Sequence, residues 1–194
     1  MGDEMSAEEK AKWNRRYAES GTQNLRREPK AWLGELAELL PRSGAALDLG
    51  AGEGQTAIFF AQRGLDAEAW DLSEVALRKA HGLARQAGVT LWTRCVDLDE
   101  APDIEPDKYA VISCLHFLNR ALIPAIAAGL RPGGVVVVEI LGTPNLERSA
   151  QPSRRYLVEP GELDGWFPQL ETLVRYDGWV GERYVCRMLA RRRA

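Results

Sequence analysis

The sequence has few of the residues on which many enzyme classes depend. Its 194 residues include three cysteines, Cys95, Cys114 and Cys186, and two histidines, His81 and His116. With no C-x-x-C pair and so few imidazoles, we expect no metal site. Widely spaced thiols in odd number are typical of reduced cysteines in a cytoplasm, the location we predict. A G-x-S-x-G elbow is missing too, which argues against a Ser-His-Asp hydrolase.

The chain also lacks an excess of positive charge. Its 25 Lys and Arg and 28 Asp and Glu give a net charge of −3, whereas general nucleic-acid-binding proteins are normally basic. No apolar run approaches the roughly 18 residues of a membrane span, and the polar, acidic start predicts no secretory signal. We therefore expect a small-molecule partner, with no nucleic acid and no membrane. The sequence carries no signal for the oligomeric state.

A glycine-rich turn organises the chain. Residues 45–49 form a short apolar strand, Gly50, Gly52 and Gly54 follow, and residues 55–63 form a helix-like run. Glycine lets the backbone turn sharply and approach a ligand closely, and the start of the helix presents free N–H groups. Such strand–turn–helix units bind nucleotide-like cofactors beyond the carboxyl ends of parallel strands.

The glycine spacing does not match the dinucleotide fingerprint G-x-G-x-x-G, because Gln55 directly follows Gly54. Asp48, inside the end of the preceding strand, would repel phosphates and suits a ligand with a cationic amino-acid end. A tight turn without any ligand is the alternative interpretation.

Strand-like and helix-like segments alternate through most of the chain. A capping box at residues 6–9 predicts a helix from about residue 7 to residue 21, and helical periodicity predicts another at 30–40. The later predicted strands lie at 67–70, 90–96, 109–113 and 135–140, and the later helices at 73–86 and 120–130. This alternation predicts an α/β fold with a doubly wound, mostly parallel sheet. Residues 142–159 form a long loop, and residues 170–179 and 183–190 a closing antiparallel hairpin.

Acidic residues lie at the carboxyl ends of three consecutive predicted strands. They are Asp48, Asp71 and Asp97. Because the carboxyl ends of parallel strands share one edge of a sheet, we expect these side chains to line one crevice. Asp71 lies about 20 residues after the glycine turn, where an acid typically accepts hydrogen bonds from ribose hydroxyls. Each acid, taken alone, could instead cap the helix that follows it.

Together these motifs resemble the class I S-adenosylmethionine-dependent methyltransferases. The resemblance is carried by residues 47–54, 70–73, 96–98 and 130–134, in matching order and spacing. Within that family the pattern is most similar to the small bacterial enzymes of tellurite-resistance type, through residues 69–71, 93–98, 160–163 and 188–191. It implies a Rossmann-like sheet of about seven strands, the last of them antiparallel, and S-adenosylmethionine as the cofactor, with S-adenosylhomocysteine as the product.

The resemblance also implies roles for individual residues. Gly50, Ala51 and Gly52 approach the methionine part of the cofactor, and Asp48 helps to place its ammonium group. The other implied contacts are Asp71 with the ribose hydroxyls, Leu72 with the adenine, Asp97 with the adenine amino group, Leu98 beside it, Cys114 and Leu115 beside the sulfonium, and Trp13 and Tyr17 as a cover.

His116 and Arg120 are the candidate catalytic residues. By family position His116 lies near the transferred methyl group and is the natural general base, although a merely satisfied histidine is the alternative. Arg120 could steer an oxyanion. A soft nucleophile such as sulfur, selenium or tellurium needs no base, whereas an oxygen nucleophile usually does. Residues 114–120 depart from the tellurite-type pattern.

We therefore predict methyl transfer from S-adenosylmethionine to a small-molecule acceptor, with a chalcogen oxyanion or a thiol as candidates. The expected organisation is an N-terminal helical cap segment at residues 1–44 and one globular S-adenosylmethionine-binding domain at residues 45–194. Two alternatives are a nicotinamide-dependent oxidoreductase on a similar fold and a non-catalytic S-adenosylmethionine-binding protein.

Overall fold

A computed structural model describes residues 2–19 and 31–194, with side chains described from residue 7 onward. The described residues fall into two compact units, which divide between Pro102 and Asp103. The predicted division between residues 44 and 45 stays a prediction. The predicted helix end near residue 21 and helix start at residue 30 lie outside the described residues.

The described residues of the first unit form three parallel strands and four α-helices. The strands are β1 (Ala45–Leu49), β2 (Asp66–Asp71) and β3 (Trp92–Cys95), and the helices are α1 (Gly2–Glu19), α2 (Ala31–Glu35), α3 (Gln55–Gln62) and α4 (Glu74–Gln86). Strand β2 lies between β1 and β3 and pairs with both in parallel, with Ala45 opposite Asp66 and Asp71 opposite Cys95. The carboxyl ends of the three strands therefore meet at one edge.

The second unit contains one parallel strand pair and the C-terminal hairpin. Its elements are β4 (Tyr109–Leu115), α5 (Ile123–Gly129), β5 (Leu130–Leu141), β6 (Glu171–Val180) and β7 (Arg183–Arg191). Strand β4 runs parallel to β5, and β7 runs antiparallel to both β5 and β6. The described residues of the two units together form seven strands. The predicted Rossmann-like α/β fold, with its C-terminal antiparallel hairpin, is confirmed.

The apolar run of β5 explains its central place in the second unit. Val135, Val136 and Val137 have no exposed surface, and Val138 and Ile140 are each 1% exposed. An unbroken apolar strand of this kind must be covered on both faces. Glu139 is the single acid in this run and is also buried, at 2% exposure.

Several predicted boundaries are wrong. Helix α1 begins at Gly2 rather than near residue 7, so the capping box lies inside the helix. The helix predicted at 30–40 stops at Glu35 and continues only as a 3-10 turn, Ala37–Leu39. Gly34, a poor helix former, lies just before this break.

The segment around α5 differs from prediction as well. The predicted helix at 120–130 starts as a 3-10 helix, Arg120–Leu122, and α5 begins at Ile123 with a proline in its first turn, the part of a helix that tolerates proline. The strand predicted at 135–140 starts earlier than expected, because β5 begins at Leu130 and includes residues 131–134, at a register shift opposite Tyr109 and Val111.

The long loop at residues 142–159 is tied to β7. Asn145 donates from Nδ2 to the carbonyl oxygens of Gly142 (2.8 Å) and Tyr184 (2.7 Å), and its Oδ1 accepts from the Tyr184 N–H (3.0 Å). A β-bridge joins Gly142 to Val158. These bonds satisfy backbone groups that a loop of this length would otherwise leave to water.

Two glycine substitutions test the packing of the first unit. Gly54 has a φ of 80°, and a Cβ there would lie 2.8 Å from Cβ of Ala80. We expect Gly54→Ala to lower the free energy of unfolding by about 1–3 kcal/mol. Gly82, inside α4, has no atom within 4 Å of an added Cβ, so Gly82→Ala should raise it by about 0.5–1 kcal/mol. Urea denaturation measures both, and a destabilisation shared equally by the two variants would contradict this packing.

Candidate functional site

The turn after β1 adopts backbone angles that favour glycine at each of its three glycines. Gly50, Gly52 and Gly54 have φ values of 67°, 55° and 80°, in the left-handed region that other residues rarely enter. The Ala51 N–H donates to the Trp70 carbonyl oxygen at 3.0 Å, which fixes the turn beside the end of β2. The two-residue glycine spacing thus builds a compact corner at the edge where the strands end.

Asp71 connects this corner to the start of α4. Its Oδ2 accepts from the Gly52 N–H at 2.7 Å, and its Oδ1 accepts from the Ser73 N–H at 2.8 Å. Burial raises the pKa of the Asp71 carboxyl above its ordinary value, although these N–H groups act in the opposite direction. The residue that caps α4 is Ser73, whose Oγ accepts from the Ala76 N–H at 3.1 Å. Asp71 is therefore not the helix cap, which was the alternative for this residue.

The other two strand-end acids lie at the same edge of the first unit. Asp48 is 3% exposed and is paired with Ala69 of β2 across the sheet. Asp97 follows β3 and caps a short 3-10 helix, accepting from the Asp99 N–H at 2.9 Å. Leu98 is buried in that short helix, at 4% exposure. The structure thus brings the three acids to one edge, and for Asp97 it also shows the capping contact.

Helix α1 covers the glycine turn through Tyr17. A Cβ added to Gly52 would lie 2.7 Å from the Tyr17 hydroxyl oxygen, so the phenol packs directly against a position that only glycine can fill. Burial, followed by the charges of Asp71 and Glu53, raises the pKa of Tyr17. The Trp13 and Tyr17 ring centroids are 6.0 Å apart. The two predicted covering residues therefore lie together on α1, with Tyr17 against the turn.

Residues that the sequence analysis did not single out hold α1 in this position. Asn14 Oδ1 accepts from the Ser73 hydroxyl at 2.7 Å and from the Val75 N–H at 3.3 Å. Lys79 Nζ donates to the Tyr17 carbonyl oxygen at 2.5 Å and lies 3.1 Å from Glu53 Oε1. No motif spacing indicates the contacts made by Asn14 and Tyr17, because they join residues about sixty positions apart.

In the second unit, the predicted residues lie at the end of β4. Cys114 is buried and donates from Sγ to the Phe117 carbonyl oxygen at 3.1 Å. Leu115 is half-buried and pairs with Glu139 of β5. His116 has a φ of 63° and donates its N–H to the Glu139 carbonyl oxygen at 2.7 Å. Left-handed backbone at a non-glycine residue is uncommon and clusters at functional sites.

His116 faces a buried ion pair that was not predicted. Its Nε2 lies 3.2 Å from Glu139 Oε1, and Arg187 Nε donates to Glu139 Oε2 at 2.7 Å. The signal that could have found Glu139 is a lone acid inside an apolar strand. Its partner could not be read from the sequence, because Arg187 lies 48 positions away.

Arg120 is engaged in an ion pair with Glu162. The two side chains form a bidentate contact of 2.7 and 3.0 Å, and Arg120 Nη2 also donates to the Leu157 carbonyl oxygen at 3.1 Å. Burial alone would raise the pKa of Glu162, but the hydrogen bond from Arg120 and the N–H of Glu159 hold it below its ordinary value. A role for Arg120 toward an oxyanion stays a prediction.

The strand-edge groups of the first unit fit S-adenosylmethionine chemically. That molecule presents donors in its ammonium group, its ribose hydroxyls and its adenine amino group, and the edge presents the acceptors Asp48, Asp71 and Asp97. An ionised carboxylate has about four lone-pair sites, so Asp71 retains acceptor capacity beyond its two backbone bonds.

Within residues 2–19 and 31–194, no group of three His, Cys, Asp or Glu side chains could hold a metal ion. No helix in the same described ranges is long and apolar enough to cross a membrane.

The family model of a methyltransferase domain matches residues 46–134 of the chain. A ubiquinone biosynthesis O-methyltransferase from Idiomarina loihiensis is 27% identical over 128 residues, which cover 63% of this chain and 51% of that protein. A tRNA 5-carboxymethoxyuridine methyltransferase from Escherichia coli is 33% identical over 108 residues, which cover 52% of this chain and 41% of that protein. The chain thus spans about half the length of these curated relatives.

Two solved structures share the fold. TehB from Haemophilus influenzae superposes with a TM-score of 0.72 at 18% identity, covering 85% of this chain and 63% of that one. The second is the Burkholderia thailandensis 1,6-didemethyltoxoflavin-N1-methyltransferase, solved with 1,6-didemethyltoxoflavin and S-adenosylhomocysteine bound. It superposes with a TM-score of 0.70 at 18% identity, covering 99% of this chain and 90% of that one.

Replacing Asp71 tests the strand-edge site. We expect Asp71→Ala to weaken S-adenosylhomocysteine binding by about 1–3 kcal/mol, or roughly 5- to 150-fold in Kd, because acceptors for two hydroxyls are lost. Titration calorimetry measures this. Asp66, exposed at the opposite end of β2, supplies the control Asp66→Ala, which should bind as the wild type does. Unchanged affinity in Asp71→Ala would place the ligand elsewhere.

Replacing Asn14 tests the docking of α1. Asn14→Ala removes the acceptor for Ser73 Oγ and the Val75 N–H, so we expect faster amide hydrogen exchange in residues 7–19, with the rest of the first unit unchanged. Arg15→Ala, on the exposed side of the same helix, should leave the exchange rates as they are. Equal exchange in both variants would mean that Asn14 does not hold α1.

Proposed function

We propose that this chain, a class I S-adenosylmethionine-dependent methyltransferase by family, transfers a methyl group from S-adenosylmethionine to a small-molecule acceptor. The observation that carries the proposal is the joint placement of Gly52 and Asp71 at the edge where the strands of the first unit end. Both residues lie within the matched methyltransferase domain, as do Asp48 and Asp97.

S-adenosylmethionine is the cofactor that this family implies, and the Burkholderia neighbour holds S-adenosylhomocysteine, the demethylated form. When bound, the cofactor supplies a methyl group already activated by a positively charged sulfur. The tasks left to the protein are to bind, to orient and to exclude water. We assign binding to Asp48, Asp71 and Asp97, close approach to Gly50, Ala51 and Gly52, and the cover to Trp13 and Tyr17. Leu72, Leu98, Cys114 and Leu115 are assigned to apolar contacts.

We also propose a chemical class for the methyl acceptor, for which the relatives and structural neighbours support different candidates. The similarity in fold to TehB, a tellurite-resistance methyltransferase, supports a chalcogen oxyanion or a thiol. The name of the Idiomarina relative supports an oxygen acceptor. The Escherichia coli relative acts on tRNA, but the net charge of −3 on this chain favours a small molecule over a nucleic acid. Within the described residues, Cys95, Cys114 and Cys186 form no disulfide, which supports a location in the cytoplasm.

Ligand titration tests the proposal directly. We expect S-adenosylhomocysteine to bind the purified protein with a Kd on the order of micromolar and to raise its melting temperature, whereas NAD and NADP should do neither. Stabilisation by a nicotinamide cofactor alone would replace the methyltransferase assignment with an oxidoreductase.

A turnover measurement separates an enzyme from a binding protein. The protein is incubated with S-adenosylmethionine and with selenite, tellurite, small thiols and catechol in turn, and S-adenosylhomocysteine release is followed by mass spectrometry. Release that depends on one acceptor class supports the proposal. Tight binding with no release in any reaction would favour the non-catalytic alternative.

A further inference from the structure

Strand β3 is the outer one of the three parallel strands in the first unit. Within the described residues it pairs with β2 alone, over residues 92–95 and without a register shift. The Val96 N–H donates to the Asp71 carbonyl oxygen at 3.0 Å, so Val96 directs its backbone groups toward β2. Because this direction alternates along a strand, Thr93 and Cys95 direct their N–H and C=O groups away from β2. An edge of this kind is a template for a further strand.

An exposed tryptophan marks the same strand. Trp92 is 67% exposed, whereas the other tryptophans of the chain are buried or half-buried. Thr93 faces α4, since its hydroxyl oxygen lies 2.8 Å from His81 Nε2. Trp92 and Arg94 therefore face the other side of the sheet, where the guanidinium carbon of Arg94 lies 4.6 Å from the centre of the Trp70 ring. Tryptophan and arginine are the residues that most often anchor protein interfaces.

Arginines without a carboxylate partner surround this edge. His81 lies beside β3, and Arg78 and Arg85 lie one turn before and one turn after it on the same exposed side of α4. Arg94 is the third arginine. Among the described residues none of the three arginines forms an ion pair, and the acid on that side of α4, Glu74, is already in one. The cluster is positive in a chain whose net charge is −3, so its charge favours an anionic partner.

We propose that β3 is the docking site for an extended acidic peptide of a partner protein, which adds to the three parallel strands as a further strand. Backbone hydrogen bonds to Thr93 and Cys95 hold the peptide. Its acidic side chains face Arg78 and Arg85, and an apolar side chain on its other face covers Trp92. In this mode of recognition the main chain supplies affinity and the alternate side chains supply specificity. The docking site does not depend on methyl transfer.

Other occupants fit this edge less well. In an antiparallel pair of two β3 strands centred on Thr93, the two α4 helices would lie side by side in opposite directions. Arg85 of one copy would then lie beside Arg78 of the other, and neighbouring like charges are destabilising. A single-stranded nucleic acid would engage the arginines and Trp92, but it would leave the outward backbone groups of the strand without partners.

Designed peptides test the docking site directly. The probe is a capped seven-residue peptide in which glutamate alternates with valine, and its control carries lysine in place of glutamate. We expect the glutamate peptide to bind with a Kd on the order of 10–100 μM by titration calorimetry, more weakly as salt rises, and the lysine peptide not to bind. Bound peptide should slow amide hydrogen exchange at Thr93 and Cys95 and leave Arg94 unchanged. No binding at about 1 mM peptide, or equal binding of both peptides, would overturn the proposal.

Methylation of the peptide nitrogens separates strand addition from ionic attraction. One version of the glutamate peptide is N-methylated at its glutamates and another at its valines. Because only alternate N–H groups of a strand point toward its neighbour, one version should lose binding and the other should keep it. Equal affinity of the two versions would show an ionic contact only and would overturn the proposal.

Two variants at one position test the edge from the protein side. Thr93→Pro removes an N–H that points away from β2, a position at which an edge strand tolerates proline, so peptide affinity should fall at least about 10-fold with the fold retained. Thr93→Val also loses the contact with His81 but keeps the N–H, so it should bind as the wild type does. Trp92→Ala and Arg85→Gln should each lower the affinity by about 3- to 30-fold, whereas Arg15→Gln, on the exposed side of α1, should not. Equal affinity in the two Thr93 variants would contradict strand addition.

Two further results would assign the edge to another occupant. Sedimentation that shows concentration-dependent dimers, abolished by Thr93→Pro, would assign it to a second copy of the chain. A single-stranded RNA oligonucleotide that binds more tightly than the glutamate peptide, and loses this affinity in Trp92→Ala, would assign it to nucleic acid. Either result would overturn the proposal, and neither depends on whether the protein binds S-adenosylhomocysteine.

Discussion

The buried carboxylate of Asp71 accepts hydrogen bonds from two different turns, at Gly52 and at Ser73, and the architecture of the first unit depends on this. If it were removed, each of these N–H groups would lose its acceptor, at about 1–3 kcal/mol per buried group. The glycine turn, the end of β2 and the start of α4 are therefore held by one side chain. In the proposed function the same carboxylate also accepts hydrogen bonds from the ribose hydroxyls of the cofactor, so folding and cofactor binding would depend on one side chain.

The burial of Asp71 makes the stability of the folded protein depend on pH. Because its pKa is raised in the folded state, the folded protein binds this proton more tightly than the unfolded chain does. Ionisation of Asp71 therefore lowers stability as the pH rises through the ordinary range of a carboxyl group. Hydrogen bonds from a bound ligand to the carboxylate would favour its charged form and offset that loss. Burial, followed by the charge of Asp71, raises the pKa of Tyr17, whose hydroxyl packs against the same turn.

The local features of the chain could be predicted from sequence, and its long-range pairings could not. The strand and turn at residues 45–54 and the hairpin of β6 and β7 follow from glycine positions and apolar periodicity, which act over a few residues. The early start of β5 at Leu130 depends on its pairing with Tyr109 of β4, which no local pattern indicates. The contact of Glu139 with Arg187 and that of Arg120 with Glu162 depend on sheet register and on loops that bring together residues more than 40 positions apart. The three strand-end acids could be predicted because parallel strands align their carboxyl ends at one edge of a sheet. This rule applies without knowledge of which residues contact one another.

The central claim is that the strand-edge corner around Gly52 and Asp71 binds the cofactor. The most direct measurement is amide chemical-shift mapping of the nitrogen-15-labelled protein during titration with S-adenosylhomocysteine. Our account predicts that the largest shifts occur at Gly50, Gly52, Asp71 and Ser73, since a ligand on the Asp71 carboxylate must perturb the N–H groups that it already accepts. Saturating ligand with no shift at these four amides would contradict it.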